Sequence, residues 1–382
     1  MSSPATTVDV IALGQPTFGE PEIRAIEEVF RSGWVAGQGP TGSRFGEAFA
    51  RSAGTRFALP VNNCTAALHL AVSALGLEPG DEVVVADYTF PATGHSVVYG
   101  GGKPVFADVL PDTWTIDPAA VEAAITERTV GIMAVDTLGQ LADYAELEAI
   151  AARRGLWLVE DAACSSGATY RGRPAGSFGD AACFSFHGRK GITAGEGGAL
   201  TTDREDIATK ARKTHNFGIE SALSRAGTSG LPVPEFDEIG YNYKLSDVSA
   251  AIMLAQLDRL PELVKTRQSV ADAYQQLLGD FDLVTLPVTG KDRTHSWQSY
   301  ALTLDPSVDR GVVASELRSR GVQCNFGTYA SHLQPVYGET NPCPVSADLF
   351  RRHLAIPMHA NLRDDQIERV AAAVREVVPT AR

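Results

Sequence analysis

A lysine follows closely on an apolar run near the middle of the chain. Residues 181–186 (AlaAlaCysPheSerPhe) are typical of a buried strand, and Lys190 comes four residues later. The glycine-rich residues 191–198 predict a tight loop before a second short strand. A lysine in such a loop is either a side chain that reaches water or a partly desolvated amine. Burial, or a cationic neighbour such as Arg189, would lower the pKa of the amine and favour a Schiff base with a carbonyl.

If that carbonyl belongs to pyridoxal phosphate (PLP), the chain must also supply an acid for the ring nitrogen, a face for the ring and a cradle for the phosphate. Asp161 follows an apolar run at 156–159 and is a candidate for the acid, although acidic residues that end a strand often only cap the next turn. Phe90, just after the run at 82–86, offers a flat apolar face but would also suit a core position.

The phosphate needs hydrogen-bond donors, and the start of a helix can supply them. Asparagines at 62–63 are favourable N-cap residues for a helix that ends near Gly76. Thr65 and Ala66 then fall in the first turn, where free backbone N–H groups and the helix dipole favour an anion. Ser185 could donate another hydrogen bond. An ordinary capped helix would give the same pattern.

The first half of the chain alternates strand and helix. Apolar runs at 82–86, 103–108, 130–135 and 156–159 are separated by helix-compatible segments. This alternation predicts an α/β fold with a mostly parallel central sheet and helices on both faces. Ligands bind beyond the carboxyl ends of the strands in such sheets, and Phe90, Asp161 and Lys190 all fall there.

The second half has a different composition. A Ser-, Gly- and Pro-rich segment at 219–240 predicts a long surface loop. The elements predicted after it are helices at 246–261, 263–278, 312–320, 346–353 and 364–378 and strands at 297–304 and 322–326. We therefore predict a large cofactor-binding domain over 1–255 and a smaller C-terminal α+β domain over 256–382.

Composition limits the classes of protein to which the chain can belong. With 382 residues, 44% of them hydrophobic and 21% charged, it is typical of a globular protein rather than a disordered or membrane protein. A net charge of -13 without any long basic run argues against nucleic acid as a partner. Five cysteines without a CxxC spacing indicate neither a disulfide framework nor a zinc site. With no signal-like or membrane-spanning run, we expect a cytoplasmic protein.

Taken together, these motifs resemble the fold type I aminotransferases of the DegT/StrS group, which use PLP to aminate nucleotide-linked keto sugars. The resemblance extends from GlyGlnProThrPheGly at 14–19 to the last predicted helix. It is carried mainly by PheSerPheHisGlyArgLysGlyIleThrAlaGlyGluGlyGlyAla around Lys190 and by ValGluAspAlaAla around Asp161, together with CysThrAlaAlaLeu, AspTyrThrPhe and GlyTyrAsnTyrLys. Each motif supplies one of the parts that a PLP site needs.

The resemblance implies a role for each candidate residue. Lys190 would bind the cofactor covalently and act as general base and acid, and Asp161 would pair with the ring nitrogen. The other residues implied to bind the cofactor are Thr65, Ala66, Phe90, Cys164, Ser185 and Asn242. Asn242 would reach the phosphate of the other subunit, which implies a homodimer with shared sites. The residues implied near the substrate are His187, on the same strand as Ser185, His332 and Trp34, whose glycine-rich loop indicates a close approach of backbone or ligand. A structural histidine is an equal alternative for His187 and His332.

The implied reaction transfers an amino group from L-glutamate to a nucleotide-linked keto sugar. The loop after Lys190 is more similar to enzymes that aminate C4 of a dTDP-4-keto-6-deoxyhexose than to the C3 branch. The alternatives are a 3-keto sugar, an aminocyclitol, or a regulator that binds PLP without catalysis. A nicotinamide-dependent oxidoreductase is disfavoured because no GxGxxG follows an early strand.

Four positions depart from the usual pattern of the group. Cys164 replaces a Gln or His beside the ring hydroxyl, Asn63 and Cys64 replace SerGly, and Asp136 replaces a His or Asn. These departures affect the choice of substrate more than the cofactor.

Overall fold

A computed structural model describes residues 9–219, 236 and 238–382. Most of the surface loop predicted at 219–240 therefore lies outside the described residues. The helices are α1 (Glu20–Ser32), α2 (Pro40–Ala53), α3 (Cys64–Ala74), α4 (Ala92–Tyr99), α5 (Pro118–Ala124), α6 (Tyr144–Arg154), α7 (Glu205–Thr214), α8 (Asp247–Leu278), α9 (Arg310–Ser319), α10 (Pro344–Arg352) and α11 (Asp364–Val377). In this part of the chain, no helix combines the length and apolar character needed to span a membrane.

Short strands complete the secondary structure. They are β1 (Phe57–Val61), β2 (Glu82–Ala86), β3 (Tyr88–Thr89), β4 (Lys103–Ala107), β5 (Thr129–Val135), β6 (Trp157–Asp161), β7 (Thr169–Tyr170), β8 (Arg173–Pro174), β9 (Ala181–Ser185), β10 (Gly198–Thr202), β11 (Val284–Thr285), β12 (Tyr300–Leu304), β13 (Tyr329–Ala330) and β14 (His353–Ile356).

Seven of these strands form the central sheet, in the order β1-β10-β9-β6-β5-β2-β4. The five strands from β9 to β4 are parallel, as the alternation of strand and helix predicts. β10 is antiparallel to β9 because the Lys190 loop turns the chain directly back. Since β6 and β9 are parallel neighbours, their last residues, Asp161 and Ser185, lie at the same edge of the sheet.

Helices cover both faces of the sheet, which confirms the predicted α/β architecture. Alternate side chains of β2 point to opposite faces of the sheet. Val83 and Val85 belong to the cluster that contains α3, whereas Val84 belongs to the cluster that contains residues of α6. Both clusters consist mainly of buried aliphatic and aromatic residues, so the central strands are largely apolar on both faces of the sheet, and their polar residues lie mostly at the strand ends.

Helix α2, which begins at Pro40 among the glycines Gly37, Gly39 and Gly42, was not predicted. Its first turn is capped by a distant carboxylate: the Asp247 side chain accepts hydrogen bonds from the backbone N–H groups of Gly39, Thr41 and Gly42. Asp247 is completely buried, and Ser246 caps its own helix α8 instead. Asp247 therefore joins α2 to the start of α8.

Helix α8 runs unbroken for 32 residues through Pro261. Its first half contributes to the main core through residues up to Leu263, and from Val270 onwards its residues belong to a second core. The second core is built from α8, α9, α11 and the sheet β11-β12-β14, with Ile11 from near the start of the chain. The predicted boundary at residue 255 falls within α8.

Two expected strands differ from the structure. The strand predicted at 322–326 is wrong: Val322 bridges Ile11 and Asn325 bridges Ala355, so these residues have different partners and form no continuous ladder. The strand expected at 297–304 begins only at Tyr300. Trp297 has a φ of 51°, which is incompatible with extended backbone.

Candidate active site

A cavity opens beyond the carboxyl ends of β6 and β9. The predicted site residues that line it are Phe90, Asp161, Cys164, His187 and Lys190. The other lining residues come from the segments after β2 and β5, the start of β12 and the turn before β13. The sheet edge thus brings the predicted lysine, acid and aromatic face to one place, as expected for a parallel sheet.

Lys190 lies in a turn held by local hydrogen bonds. Its backbone N–H donates to the His187 carbonyl at 2.8 Å, and Thr193 Oγ donates to the Phe186 carbonyl at 2.7 Å. The Lys190 Nζ atom donates to Cys164 Sγ at 3.1 Å. The turn therefore directs the amine into the cavity.

The expected lowering of the Lys190 pKa is wrong. Burial by itself lowers the pKa of the amine, but Cys164 and the charge of Asp161 act in the opposite direction, and the net shift is upward. The nearest influential groups are thiols and a carboxylate rather than the cationic Arg189. In the free protein the Lys190 amine is therefore held in its charged form.

Asp161 is the last residue of β6 and only 4% exposed. Its carboxylate accepts hydrogen bonds from Thr93 Oγ at 2.7 Å and from the Ala163 N–H at 3.2 Å. Burial raises the pKa of this carboxyl, and these hydrogen bonds together with the charge of Lys190 offset the effect only in part. A cationic group in the cavity would stabilise the ionised carboxylate.

The start of α3 lies beside the end of β9. A Cβ atom added at Gly198, which pairs with Ser185, would lie 2.6 Å from the backbone of Asn63, so these segments are in close contact. The Asn63 side chain accepts from the Ala66 N–H at 2.8 Å, which confirms the predicted cap. Among the described residues, the N–H groups of Cys64 and Thr65 are left for an anion, because Ala66 is already bonded.

Phe90 lines the cavity with 59% of its surface exposed, so it is not a core residue. Its ring meets that of Tyr329 edge to face, with centroids 5.9 Å apart. An exposed aromatic ring supported at its edge can offer a flat face to a ligand ring.

The two histidines differ in position. His187 lines the cavity, but β9 ends at Ser185, so the expectation that both lie on one strand is wrong. Glu196 lies 3.8 Å from His187 Nε2. His332 does not line the cavity: its backbone N–H donates to Asp87 at 2.6 Å and its Nδ1 is 2.7 Å from the same carboxylate. The bonding of His332 favours the structural alternative.

Trp34 and Asn242 lie outside the cavity lining of this subunit. The loop around Trp34 is approached closely by backbone, since a Cβ atom at Gly39 would lie 2.2 Å from the indole and one at Gly37 would lie 2.7 Å from the Leu245 carbonyl. Asn242 is exposed, and its backbone carbonyl accepts from Asn62 Nδ2 at 3.4 Å. Both residues are free to face another molecule.

Asp136, one of the departures, belongs to a buried network. It accepts hydrogen bonds from Ser165 Oγ at 2.6 Å and from the Tyr144 hydroxyl at 2.8 Å. Burial raises the pKa of Asp136 to about 6. Its carboxylate thus supports the turn behind Cys164 instead of facing the cavity.

Several residues of the site were not found from the sequence. Thr93 fixes Asp161, and Gln298 Nε2 donates to the Arg189 carbonyl at 3.1 Å. Arg267 donates to the Gly191 carbonyl at 2.8 Å. A threonine and an arginine within helices and a glutamine just before a strand carry no local signal, because their role depends on tertiary contacts.

The residues present fit PLP. The part-buried amine of Lys190 and the buried carboxylate of Asp161 line one cavity. Burial raises the pKa of this carboxyl, and a protonated ring nitrogen beside it would stabilise its ionised form. The start of α3, where N–H groups are left for an anion, is near Asp161. Cys64, the first residue of this helix, has its Sγ atom 4.0 Å from the Asp161 carboxylate. The arrangement can hold an aldehyde cofactor by its carbonyl, ring nitrogen and phosphate.

Comparison with known proteins agrees with this arrangement. The sequence profile of the DegT/DnrJ/EryC1/StrS aminotransferase family matches residues 16–375. The spore coat polysaccharide biosynthesis protein SpsC of Bacillus subtilis is 36% identical over 377 residues, which cover 96% of each chain.

Solved structures share the whole fold. DesI, solved in the presence of its TDP-sugar product, is 33% identical, with a TM-score of 0.88 over 98% of this chain and 94% of its own. Spr1654 from Streptococcus pneumoniae, solved in PMP and PLP forms, is 25% identical; its PMP form has a TM-score of 0.92 over 97% of this chain and 100% of its own. The similarity therefore includes both cores.

Proposed function

Because the chain belongs to the DegT/DnrJ/EryC1/StrS aminotransferase family and is a PLP-dependent sugar aminotransferase, we propose that it transfers the amino group of L-glutamate to a nucleotide-linked keto sugar. The acceptor that we propose is C4 of a dTDP-4-keto-6-deoxyhexose. The observation that carries a catalytic function is that the part-buried amine of Lys190 and the buried carboxylate of Asp161 line one cavity.

The roles of these two residues follow from their surroundings. When bound, PLP supplies an electrophilic carbonyl for amines and a ring that withdraws electrons from the carbon attached to nitrogen. Asp161, fixed by Thr93 and the Ala163 N–H, holds a proton on the ring nitrogen. Lys190 would hold the cofactor by its carbonyl, and its free amine would be the group that takes and returns the proton at the reacting carbon as general base and acid.

The remaining residues bind and orient. The first turn of α3 and Ser185 at the end of β9 lie together and would receive the phosphate. The donors in this turn would be the N–H groups of Cys64 and Thr65, because the N–H of Ala66 is bonded to the Asn63 side chain. Phe90 would stack on the ring. Cys164 would lie beside the ring hydroxyl, since it already contacts the Lys190 amine. His187 is the histidine that lines the cavity and would face the substrate.

Two observations support the nature of the acceptor. The first is the resemblance of the loop from Lys190 to Gly198, noted from the sequence, to enzymes that aminate C4. DesI, whose structure holds a TDP-sugar product, has the same fold at 33% identity. A thymidine diphosphate sugar is therefore the substrate class with the most direct support.

A substrate screen tests this proposal. Holoenzyme would be incubated with L-glutamate and with dTDP-, UDP- or GDP-linked 4-keto-6-deoxy and 3-keto-6-deoxy sugars, and the amino sugar would be detected by mass spectrometry. We expect the dTDP-4-keto sugar to react fastest. Preferred turnover of a 3-keto sugar or an aminocyclitol ketone would reassign the acceptor, and no turnover of any ketone with intact PLP binding would favour the regulator.

We also propose that Asn242 completes the phosphate site of a second subunit. Its side chain is exposed and lies outside the cavity of its own chain, as a shared site requires. Lys190→Ala and Asn242→Glu chains should each be inactive, but a heterodimer of the two contains one site with both native residues. We expect co-expressed, tagged heterodimers to regain about half of the wild-type activity per dimer.

The control is a differently tagged heterodimer of two Lys190→Ala chains, which has no intact lysine and should stay inactive. Verified mixed heterodimers without activity, or an active Asn242→Glu homodimer, would contradict the shared site. An Asn242 that only forms a turn before α8 would give no complementation.

A further inference from the structure

Arg267 is a buried cation whose partners are backbone carbonyls. It lies on α8 and is 5% exposed. Its Nη2 atom donates to the Gly191 carbonyl at 2.8 Å and lies 3.5 Å from the Lys190 carbonyl. Within the described residues no carboxylate forms an ion pair with it, and burial lowers its pKa to about 10. Keeping an unpaired cation in a protein interior costs stability, so its contacts require an explanation.

The contacts of Arg267 concentrate on the turn that carries Lys190. The Arg189 carbonyl accepts from Gln298 Nε2 at 3.1 Å, and the next two carbonyls face Arg267. Three consecutive carbonyls therefore meet side-chain donors from two distant parts of the chain. We call Arg267 and Gln298 the carbonyl clamp.

The packing around the clamp leaves little freedom. A Cβ atom at Gly191 would lie 3.3 Å from Arg267 Nη1, so glycine permits the close approach of the guanidinium. Arg267 lies after Pro261, in the part of α8 that leads into the second core, and Gln298 directly precedes β12 of that core. The clamp thus holds the lysine turn from the side of the second core.

We propose that Arg267 is a positioning residue that fixes the backbone of Lys190, so that its amine meets the cofactor carbonyl and the reacting carbon in one place. The proposal rests on the proposed role of Lys190. Arg267 Nη2 faces both adjacent carbonyls, and the rigid, planar guanidinium packed against Gly191 holds this nitrogen in one place. A lysine ammonium sits on a flexible stem that does not fix it in the same position. Misplacement by about 1 Å can reduce a rate by about 100-fold.

The test compares Arg267→Lys, Arg267→Met and Gln298→Leu with Arg259→Lys as the matched control. Arg259 is on the same helix and donates to the Thr17 carbonyl, but it contacts no part of the lysine turn. Two rates are measured: the appearance of the visible band after PLP is added to apoprotein, and the single-turnover reaction of holoenzyme with L-glutamate. Neither measurement requires the sugar.

For Arg267→Lys we expect both rates to fall about 10- to 100-fold, while half-saturation by L-glutamate changes less than about threefold. Gln298→Leu should show a smaller loss of the same kind, and Arg259→Lys should show none. If Arg267→Met does not fold, Arg267→Lys and Gln298→Leu decide the question.

Wild-type rates in Arg267→Lys and Gln298→Leu would overturn the proposal. A loss confined to half-saturation by L-glutamate would also overturn it, because Arg267 would then bind the donor. Failure of the wild-type protein to capture PLP would instead remove the role of Lys190, so the two failures are distinguishable.

Discussion

Lys190→Ala should abolish amino transfer, lowering the single-turnover rate with L-glutamate by at least about 10⁴-fold. The lysine is needed twice, once to bind the cofactor carbonyl and once to move the proton. Among the described residues, it is the only lysine that lines the cavity, so none of these can take over. The purified variant should lack the visible absorption band of wild-type holoenzyme.

A surface lysine provides the control. Lys265→Ala changes an exposed residue of α8 and should keep both the band and the rate. Circular dichroism should show that both variants are folded. A Lys190→Ala protein with an unchanged absorption band would contradict the assignment, because the amine would then not be the group that holds the cofactor.

Asp161→Asn should retain PLP but lower the same rate by about 10³-fold. An amide cannot keep a proton on the ring nitrogen, and a neutral ring withdraws electrons poorly. The substitution is nearly isosteric: the Ala163 N–H can still donate to the carbonyl oxygen in the place of Oδ1, and Thr93 Oγ can accept from the amide nitrogen that replaces Oδ2. The loss should therefore appear in proton transfer rather than in cofactor binding, measured by titrating apoprotein with PLP.

Thr93→Val separates the charge of Asp161 from its orientation. It removes one hydrogen bond to the carboxylate but leaves the negative charge, so we expect a loss of no more than about tenfold. If Asp161→Asn were as active as wild type, Asp161 would be only a structural end to β6.

The residues that carry the chemistry could be predicted from the sequence, whereas most of the residues that hold them in place could not. Lys190 and Asp161 could be identified because each follows an apolar strand, and Asn63 because capping is a local interaction. Helix α2 was missed because its cap, Asp247, comes from more than 200 residues away. Because the capping carboxylate is distant in sequence, the residues around Gly39 and Gly42 show no local signal for the start of a helix.

Other errors have the same origin. The pKa of Lys190 was misjudged from its sequence neighbour Arg189, whereas Cys164 and Asp161 act on it through space. The apolar pattern of 322–326 suggested a strand, but its residues bridge two unrelated segments. From the sequence, Arg267 is an ordinary helix residue. Only its tertiary contact with the Lys190 turn shows that it has a particular role.

Because α8 is unbroken, the two cores are difficult to exchange between related proteins. Within the described residues, α8 itself connects the two cores, because this one continuous helix contributes side chains to both, and Ile11 packs into the second core as well. A chimera joined at residue 255 would combine sequences from two proteins within the helix α8. To transfer the second core intact into a relative, α8 and the segment around Ile11 would have to be transferred together with it. The two cores are therefore exchanged between relatives less readily than domains joined by a separate linker.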